Sequence, residues 1–286
     1  VVNLSHARLE SLCRTLGVDA EEVSVTALSG GLYGRSYCIS SARGDWAVRL
    51  PLRERAPGSL DPSVERRLLE ILGDVEITPP LARGRADCEI LVTRYLSAAT
   101  TWAAADARDA DNIARLVARL HELHRVAHDL PPFVATEVAE HYCRLAAVAR
   151  QLTAEQREWG RELAALARAY DADSHPATLC HNDLVAANIL DDSRLWLIDF
   201  EYAVLAEPIL DLASLAGMND FSPDQQTRLV DAYYHGADRP FTMAKFTDVV
   251  RLIRLVSYFW ALAGHREDYP DAAAEQFVEK LTAVLR

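Results

Sequence analysis

The chain has 286 residues, half of them apolar and a quarter charged, a globular composition that excludes a disordered, collagen-like or disulfide-scaffold chain and suits one large domain or two lobes. Its 42 acidic and 30 basic residues leave a formal charge of −12, which repels polyphosphate backbones and anionic membrane surfaces and favours a cationic small molecule. No nucleic-acid partner and no membrane insertion are expected.

In chain order, Ser5 is placed to cap a short helix that Gly17 stops, and residues 23–29, 35–41 and 46–50 read as three short strands. Gly30, Gly31 and Gly34 turn the chain between the first two, and Arg43, Gly44 and Asp45 form a hairpin signal before the third. Asp61 and Pro62 suit the cap and first position of a helix carrying Val64, Leu68, Leu69 and Leu72 on one face, and a strand over 89–95 follows. Beyond Leu96 the spacing predicts helices over 113–127, 136–151, 155–170, 208–216, 225–234, 246–263 and 272–285. One short hairpin interrupts them, with 188–191 and 194–200 flanking a turn at Asp192 and Ser193. Small and polar residues over 97–110 mark the boundary between a lobe 1–96 and a lobe 97–286.

The residues around Val1 to Glu10 lack the basic-then-apolar order of a secretory signal, and the apolar run 252–263 is interrupted by Arg254 and too short to span a bilayer. Five cysteines without a C-x-x-C pair encode neither a zinc site nor a disulfide framework, so reduced thiols in a cytoplasm are expected. The only lysines are Lys245 and Lys280. Any cation required earlier in the chain must therefore be arginine.

The most informative stretch runs from Leu179 through Cys180, His181, Asn182 and Asp183 to Asn188, followed by Leu197, Ile198, Asp199, Phe200 and Glu201. With Asp192 and Ser193 as the turn, Asn188 pairs close to Leu197, so Asn188 and Asp199 emerge at one end of the hairpin. Asp183 enters from the loop before it. Two carboxylates and a carboxamide oxygen suit magnesium, and a carboxylate left over can accept a proton from a nucleophilic hydroxyl. The plain alternative is that His181, Asp183 and Asn188 are ordinary turn residues.

These residues resemble the kinase catalytic loop H-R-D-L-x-x-x-N followed by D-F-G, with Asn182 in place of Arg and Glu201 in place of Gly. His-Asn-Asp and Ile-Asp-Phe-Glu-Tyr are similar to the choline/ethanolamine kinases and their relatives, the aminoglycoside phosphotransferases and thiamine kinases. The resemblance implies an α+β, two-lobed protein-kinase-like fold: an N-terminal antiparallel sheet lobe that binds nucleotide, and a mainly helical C-terminal lobe for catalysis and acceptor binding. It also implies ATP and Mg2+, with Asp183 as catalytic base or hydroxyl orienter and Asn188 and Asp199 as metal ligands. Asp211 would brace the catalytic loop, and His181 would hydrogen-bond across it.

In the first lobe the glycine run ending at Ser36 resembles the Gly-Gly-Leu loop of choline kinase-like enzymes, which assigns Gly30, Gly31 and Ser36 to phosphate contact; as a bare pattern it is also an ordinary hairpin turn. Trp46-Ala-Val-Arg-Leu50 occupies the place of V-A-I-K, with Arg49 as its cation and a guanidinium able to grip phosphate in bidentate fashion. Glu65 is the natural partner of Arg49, with Glu70 the other candidate. The strand ending at Leu96 stands where a kinase hinge does, so backbone at Thr93 and Tyr95 is assigned to adenine. His121 and His124 lie three apart on a helix without a third ligand and read as packing or surface residues.

For the acceptor, Trp260 aligns with a tryptophan-bearing helix of choline kinases, and aromatic faces hold quaternary ammonium groups. Tyr202, Tyr258, Tyr269 and Glu201 are further candidates. Trp260 also falls on an apolar helical stripe with Val249, Leu252, Ile253 and Val256, which core burial explains equally. A second tryptophan frequent in choline kinases is replaced here by Ala263. The expected reaction is transfer of the γ-phosphoryl of ATP to a small cationic alcohol, choline or ethanolamine first. An aminoglycoside or thiamine acceptor is the nearest alternative, ahead of a metal-dependent hydrolase or an inactive nucleotide-binding module.

Overall fold

A computed structural model describes residues 5–28, 35–50, 58–82, 90–175, 178–235, 238–263 and 271–286. They divide into two compact units, Val1–Thr101 with Ala187–Glu201, and Trp102–Ala186 with Tyr202–Arg286. The hairpin after Asn188, expected inside the helical half, thus packs with the sheet-bearing unit.

In the first unit, α1 (His6–Leu16) starts where the Ser5 side chain accepts from the Arg8 N–H and ends at Gly17, whose φ of 68° is the left-handed value that favours glycine. The strands β1 (Ser24–Ala27), β2 (Arg35–Ser41), β3 (Gly44–Leu50) and β4 (Leu91–Arg94) form an antiparallel sheet in chain order. Ser41 pairs with Gly44, so the tight turn is Ala42–Arg43, one residue earlier than the glycine signal suggests. Leu12 packs with Tyr37, Ile39, Val48, Leu50, Ile90 and Val92 in one cluster. Because side chains alternate along a strand, burying Val48 and Leu50 in that cluster turns Arg49 to the other face.

The helix α2 (Pro62–Asp74) begins as the sequence predicts, with Asp61 accepting from the Ser63 N–H and proline in the first turn. Its buried residues include Leu68, Leu69 and Leu72, each worth roughly 1.5–3 kcal/mol of burial. Val64 is only half-buried, and Glu65 takes the buried place instead. The short β5 (Thr100–Thr101) completes this stretch of the unit.

In the second unit, α3 (Ala104–Arg108), α4 (Ala110–Leu123), α5 (Ala135–Ala149) and α6 (Ala154–Ala172) precede β6 (Thr178–Cys180). The chain then crosses to the first unit for β7 (Ile189–Asp191) and β8 (Leu195–Leu197), where β7 lies between β5 and β8, and returns at β9 (Val204–Ala206), the antiparallel partner of β6. The helices α7 (Ile209–Met218), α8 (Pro223–Tyr233), α9 (Met243–Ala263) and α10 (Asp271–Leu285) follow. α9 packs on α5, α6, α7 and α10. Every residue of α7 from Ile209 to Gly217 is buried. Such all-round burial means each polar side chain on α7 must find a partner inside the protein.

Candidate active site

Arg49 is the centre of the site in the first unit. Its Nη1 donates to Asp199 Oδ1 and its Nη2 to Glu65 Oε1. Glu65 is 5% exposed, so this pairing supplies the opposite charge that a buried carboxylate requires. Burial alone would lower the Arg49 pKa, but the carboxylates of Asp199, Glu65 and Glu201 outweigh it and raise the group above its ordinary value. Arg49 therefore stays charged at any working pH. Of the two candidate partners, Glu65 is the one engaged; Glu70 faces solvent.

Asp199 reaches Arg49 from the end of the β7–β8 hairpin. The loop of that hairpin is three residues, Asp192 to Arg194, with Ser193 at φ 83° and Asp191 opposite Leu195. The extra loop residue shifts the register by one, so Ile189 rather than Asn188 faces Leu197. Asn188 accepts from the Ile198 N–H through its carbonyl at 3.0 Å, which sets Asn188 and Asp199 at the same end of the hairpin despite the shift. Asp199 has φ 68°, a left-handed conformation that aspartate tolerates better than most residues. Asn188 is 8% exposed. A carboxylate and a carboxamide oxygen at one hairpin end are hard donors of the kind magnesium takes, so the residues present fit that ion.

The remaining first-unit candidates are less concentrated. Ser36 sits opposite Arg49 in the β2–β3 register. Thr93 pairs with Ala47, while the N–H of Tyr95 donates to Asp45 and that of Arg94 to Pro80. Those two amides are therefore engaged within the protein. The Glu201 carbonyl accepts from Leu60, and its carboxylate contributes to the field on Arg49. Gly30 and Gly31 lie outside the described residues.

In the second unit the loop after β6 is held from beneath by α7. Asp211, fully buried, accepts the N–H of His181 through Oδ2 at 2.9 Å and that of Asn182 through Oδ1 at 2.8 Å. Ser214 accepts from Leu184 at 3.1 Å, and Asn219 accepts from Ala186 at 3.0 Å while donating to the Leu184 and Leu215 carbonyls. His181 is buried, and its Nδ1 lies 3.3 Å from the Asp183 N–H that donates to it. Asn182, at φ 63°, donates to the Tyr202 carbonyl. Asp183 is thus carried on a backbone whose four neighbouring amides, at residues 181, 182, 184 and 186, are each fixed by an α7 side chain or by Asn219 just beyond it.

Asp211 is legible from the sequence, whereas the loop contacts of Ser214 and Asn219 emerge only in the fold. The available signal was polarity at 211 and 214 within an otherwise apolar run, three residues apart and therefore on one helix face. The aromatic candidates separate. Trp260 is half-buried, donates from Nε1 to the Tyr202 hydroxyl at 3.4 Å and meets Phe277 edge-on. Tyr258 is 2% exposed, accepts from Gln156 at 2.9 Å and packs edge-on against Trp159 and Phe259. Tyr258 is a core residue, and its assignment to acceptor binding is corrected: two positions along a helix rotate it away from the face of Trp260. Tyr269 lies outside the described residues.

A family model for the phosphotransferase enzyme family matches residues 24–247, and the chain belongs to that family. Two curated relatives, both Protein LicA of Haemophilus influenzae, are 40% identical over 55 residues, 19% of this chain but only 21% and 16% of those proteins. Choline kinase LicA from Streptococcus pneumoniae has TM-score 0.78 at 21% identity, with 98% of this chain and 96% of that chain covered. A spectinomycin phosphotransferase in complex with ADP and spectinomycin has TM-score 0.64 at 13% identity, covering 95% and 92%. The fold is kinase-like, an N-terminal antiparallel sheet followed by a mainly helical remainder.

Proposed function

We propose that the chain transfers the γ-phosphoryl group of ATP to the hydroxyl of a small cationic alcohol, with choline or ethanolamine the leading acceptors. The observation that carries the reading is Arg49, paired with Glu65 and Asp199 on the strand that corresponds to V-A-I-K. The name of the Streptococcus pneumoniae relative, a choline kinase, supports the acceptor. The charge of −12 favours a cation in general terms.

Arg49 neutralises phosphate oxygens with a charge that no working pH removes. Asn188 and Asp199 would hold magnesium, which when bound supplies charge neutralisation and orientation of the phosphates. Asp183 accepts the proton of the acceptor hydroxyl as the hydroxyl oxygen bonds to the γ-phosphorus, the bond from that phosphorus to the β,γ-bridging oxygen breaks, and ADP leaves. Tyr202 and Trp260 offer aromatic faces to an ammonium group, and Glu201 adds negative charge. Residues 1–96 are assigned to the nucleotide, and 97–286 to metal binding, catalysis and acceptor choice. A cytoplasmic setting suits the four described cysteines, which are free thiols, and a reaction that needs ATP.

A coupled ADP-release assay with choline, ethanolamine, thiamine and kanamycin tests the reading, and turnover with choline or ethanolamine is expected. Turnover confined to kanamycin would overturn the acceptor, an outcome favoured by Ala263 in place of a second tryptophan and by the likeness to a spectinomycin phosphotransferase. Undiminished metal-dependent ATP binding by Arg49→Ala would instead support a hydrolase.

A further inference from the structure

Two histidines, His121 on α4 and His124 at its C-terminal cap, have no part in the proposed chemistry, yet both are held in place. His121 Nε2 lies 3.1 Å from the Tyr233 carbonyl and its ring stacks on that tyrosine at 4.3 Å. His124 Nδ1 lies 2.6 Å from the Tyr233 hydroxyl, and its Nε2 lies 3.0 Å from Asp211 Oδ2. Asp211 is the fully buried carboxylate that fixes the amides of His181 and Asn182.

From this chain of contacts we propose that His124 is a positioning residue for the loop that carries Asp183, acting through Asp211. The carboxylate receives three N–H donors: two are the loop amides and the third is His124 Nε2. Since Asp211 accepts, Nε2 carries the hydrogen, and the Tyr233 hydroxyl on Nδ1 fixes the plane of the ring. Oδ2 is shared between His124 and the His181 amide, so the imidazole sets the rotation of the carboxylate that both loop amides follow. Without His124, the carboxylate keeps its two amides but loses the contact that fixes its rotation.

A metal is the rival explanation, because His124, Cys180 and Asp211 offer ligand atoms within 4.8 Å of one another. The donors there are already committed. Both imidazole nitrogens and both carboxylate oxygens have hydrogen-bond partners, and the Cys180 thiol lies 3.5 Å from the Glu207 carbonyl. Burial, then the nearby Asp211 charge, pushes that thiol well above its ordinary pKa, which keeps it a poor metal ligand.

The test uses a pair of variants that differ in one atom's reach. The amide nitrogen of glutamine comes to the place of Nε2, whereas that of asparagine comes only to the place of Nδ1. His124→Asn and His124→Ala should lower kcat by about 10- to 100-fold with KM for ATP within about twofold, as expected for a displaced catalytic group. His124→Gln should retain most of the wild-type kcat. In parallel, the His181 and Asn182 amides should exchange hydrogen faster in the Asn and Ala variants but not in the Gln variant. Equal kcat loss in Gln and Asn, or unchanged amide exchange in Asn, would overturn the proposal, as would stoichiometric zinc in the purified protein. The kinetic arm rests on the phosphotransferase reading. The exchange arm does not, so a wild type without turnover on any acceptor would sink that reading while the amides still decide the role of His124. If His124→Ala does not fold, the Gln and Asn pair alone decides.

Discussion

Arg49 joins Asp199, 150 residues away, to Glu65, 16 residues away, through the two terminal nitrogens of one guanidinium. Neither carboxylate is adjacent to it in sequence, and no lysine exists before Lys245 to replace it. Removing the guanidinium would leave Glu65 buried without this compensating charge. Arg49→Ala should therefore cost on the order of 3 kcal/mol in urea unfolding, the scale for breaking a buried ion pair. Arg49→Lys should recover only part of that loss, because one ammonium cannot fork to two carboxylates. An Arg49→Ala midpoint equal to wild type would show that the pairing does not stabilise the fold.

Asp211 admits no isosteric replacement. Three N–H donors converge on its two oxygens, and an amide offers one oxygen and a further donor in place of the second. Asp211→Asn is expected to destabilise the protein by about 2–4 kcal/mol, combining a lost charge-assisted acceptor with donors forced together. Equilibrium denaturation measures it, and a change under roughly 0.5 kcal/mol would contradict the network.

Tyr258 and Trp260 should behave oppositely although they lie two residues apart. Tyr258→Phe leaves Gln156 without its acceptor and should cost about 1 kcal/mol of stability with no change in acceptor KM. Trp260→Ala should raise acceptor KM by about tenfold if its ring faces an ammonium group. A Tyr258→Phe effect on acceptor KM would return that residue to the site.

Acid should weaken the fold through His121 and His141. Burial is the main cause that lowers the pKa of each below the ordinary 6.5. The unfolded chain then binds protons more readily than the native one, so stability is full above pH 6.5 and falls as the pH drops below it. Melting temperature should decline as the pH falls below about 6.5, and His121→Gln should flatten the decline. An identical slope in that variant would assign the acid sensitivity elsewhere.

Much of this arrangement is legible without coordinates because it is local. The cap at Ser5, the Asp61–Pro62 helix start and the helix periods all involve residues within a few positions of one another, where backbone sterics and hydrogen bonding decide the outcome. The hairpin shows where local reading stops. Two-residue and three-residue turns differ by little in energy, and the Ser193 backbone at φ 83° settled the register one residue away from the expected pairing.

The motif residues Asp183, Asn188, Asp199 and Asp211, the −12 charge and the need for arginine at position 49 were determined by the amino-acid order alone. Tertiary structure decided that Glu65 rather than Glu70 meets Arg49, that Tyr258 belongs to the core while Trp260 meets Tyr202, that Ser214 and Asn219 hold the loop, and that His124 meets Asp211. The physical reason is that a buried polar group must be satisfied by whatever partner packing brings within about 3 Å. That partner is chosen by the crossing of helices and strands remote in sequence, which no period or spacing along the chain records.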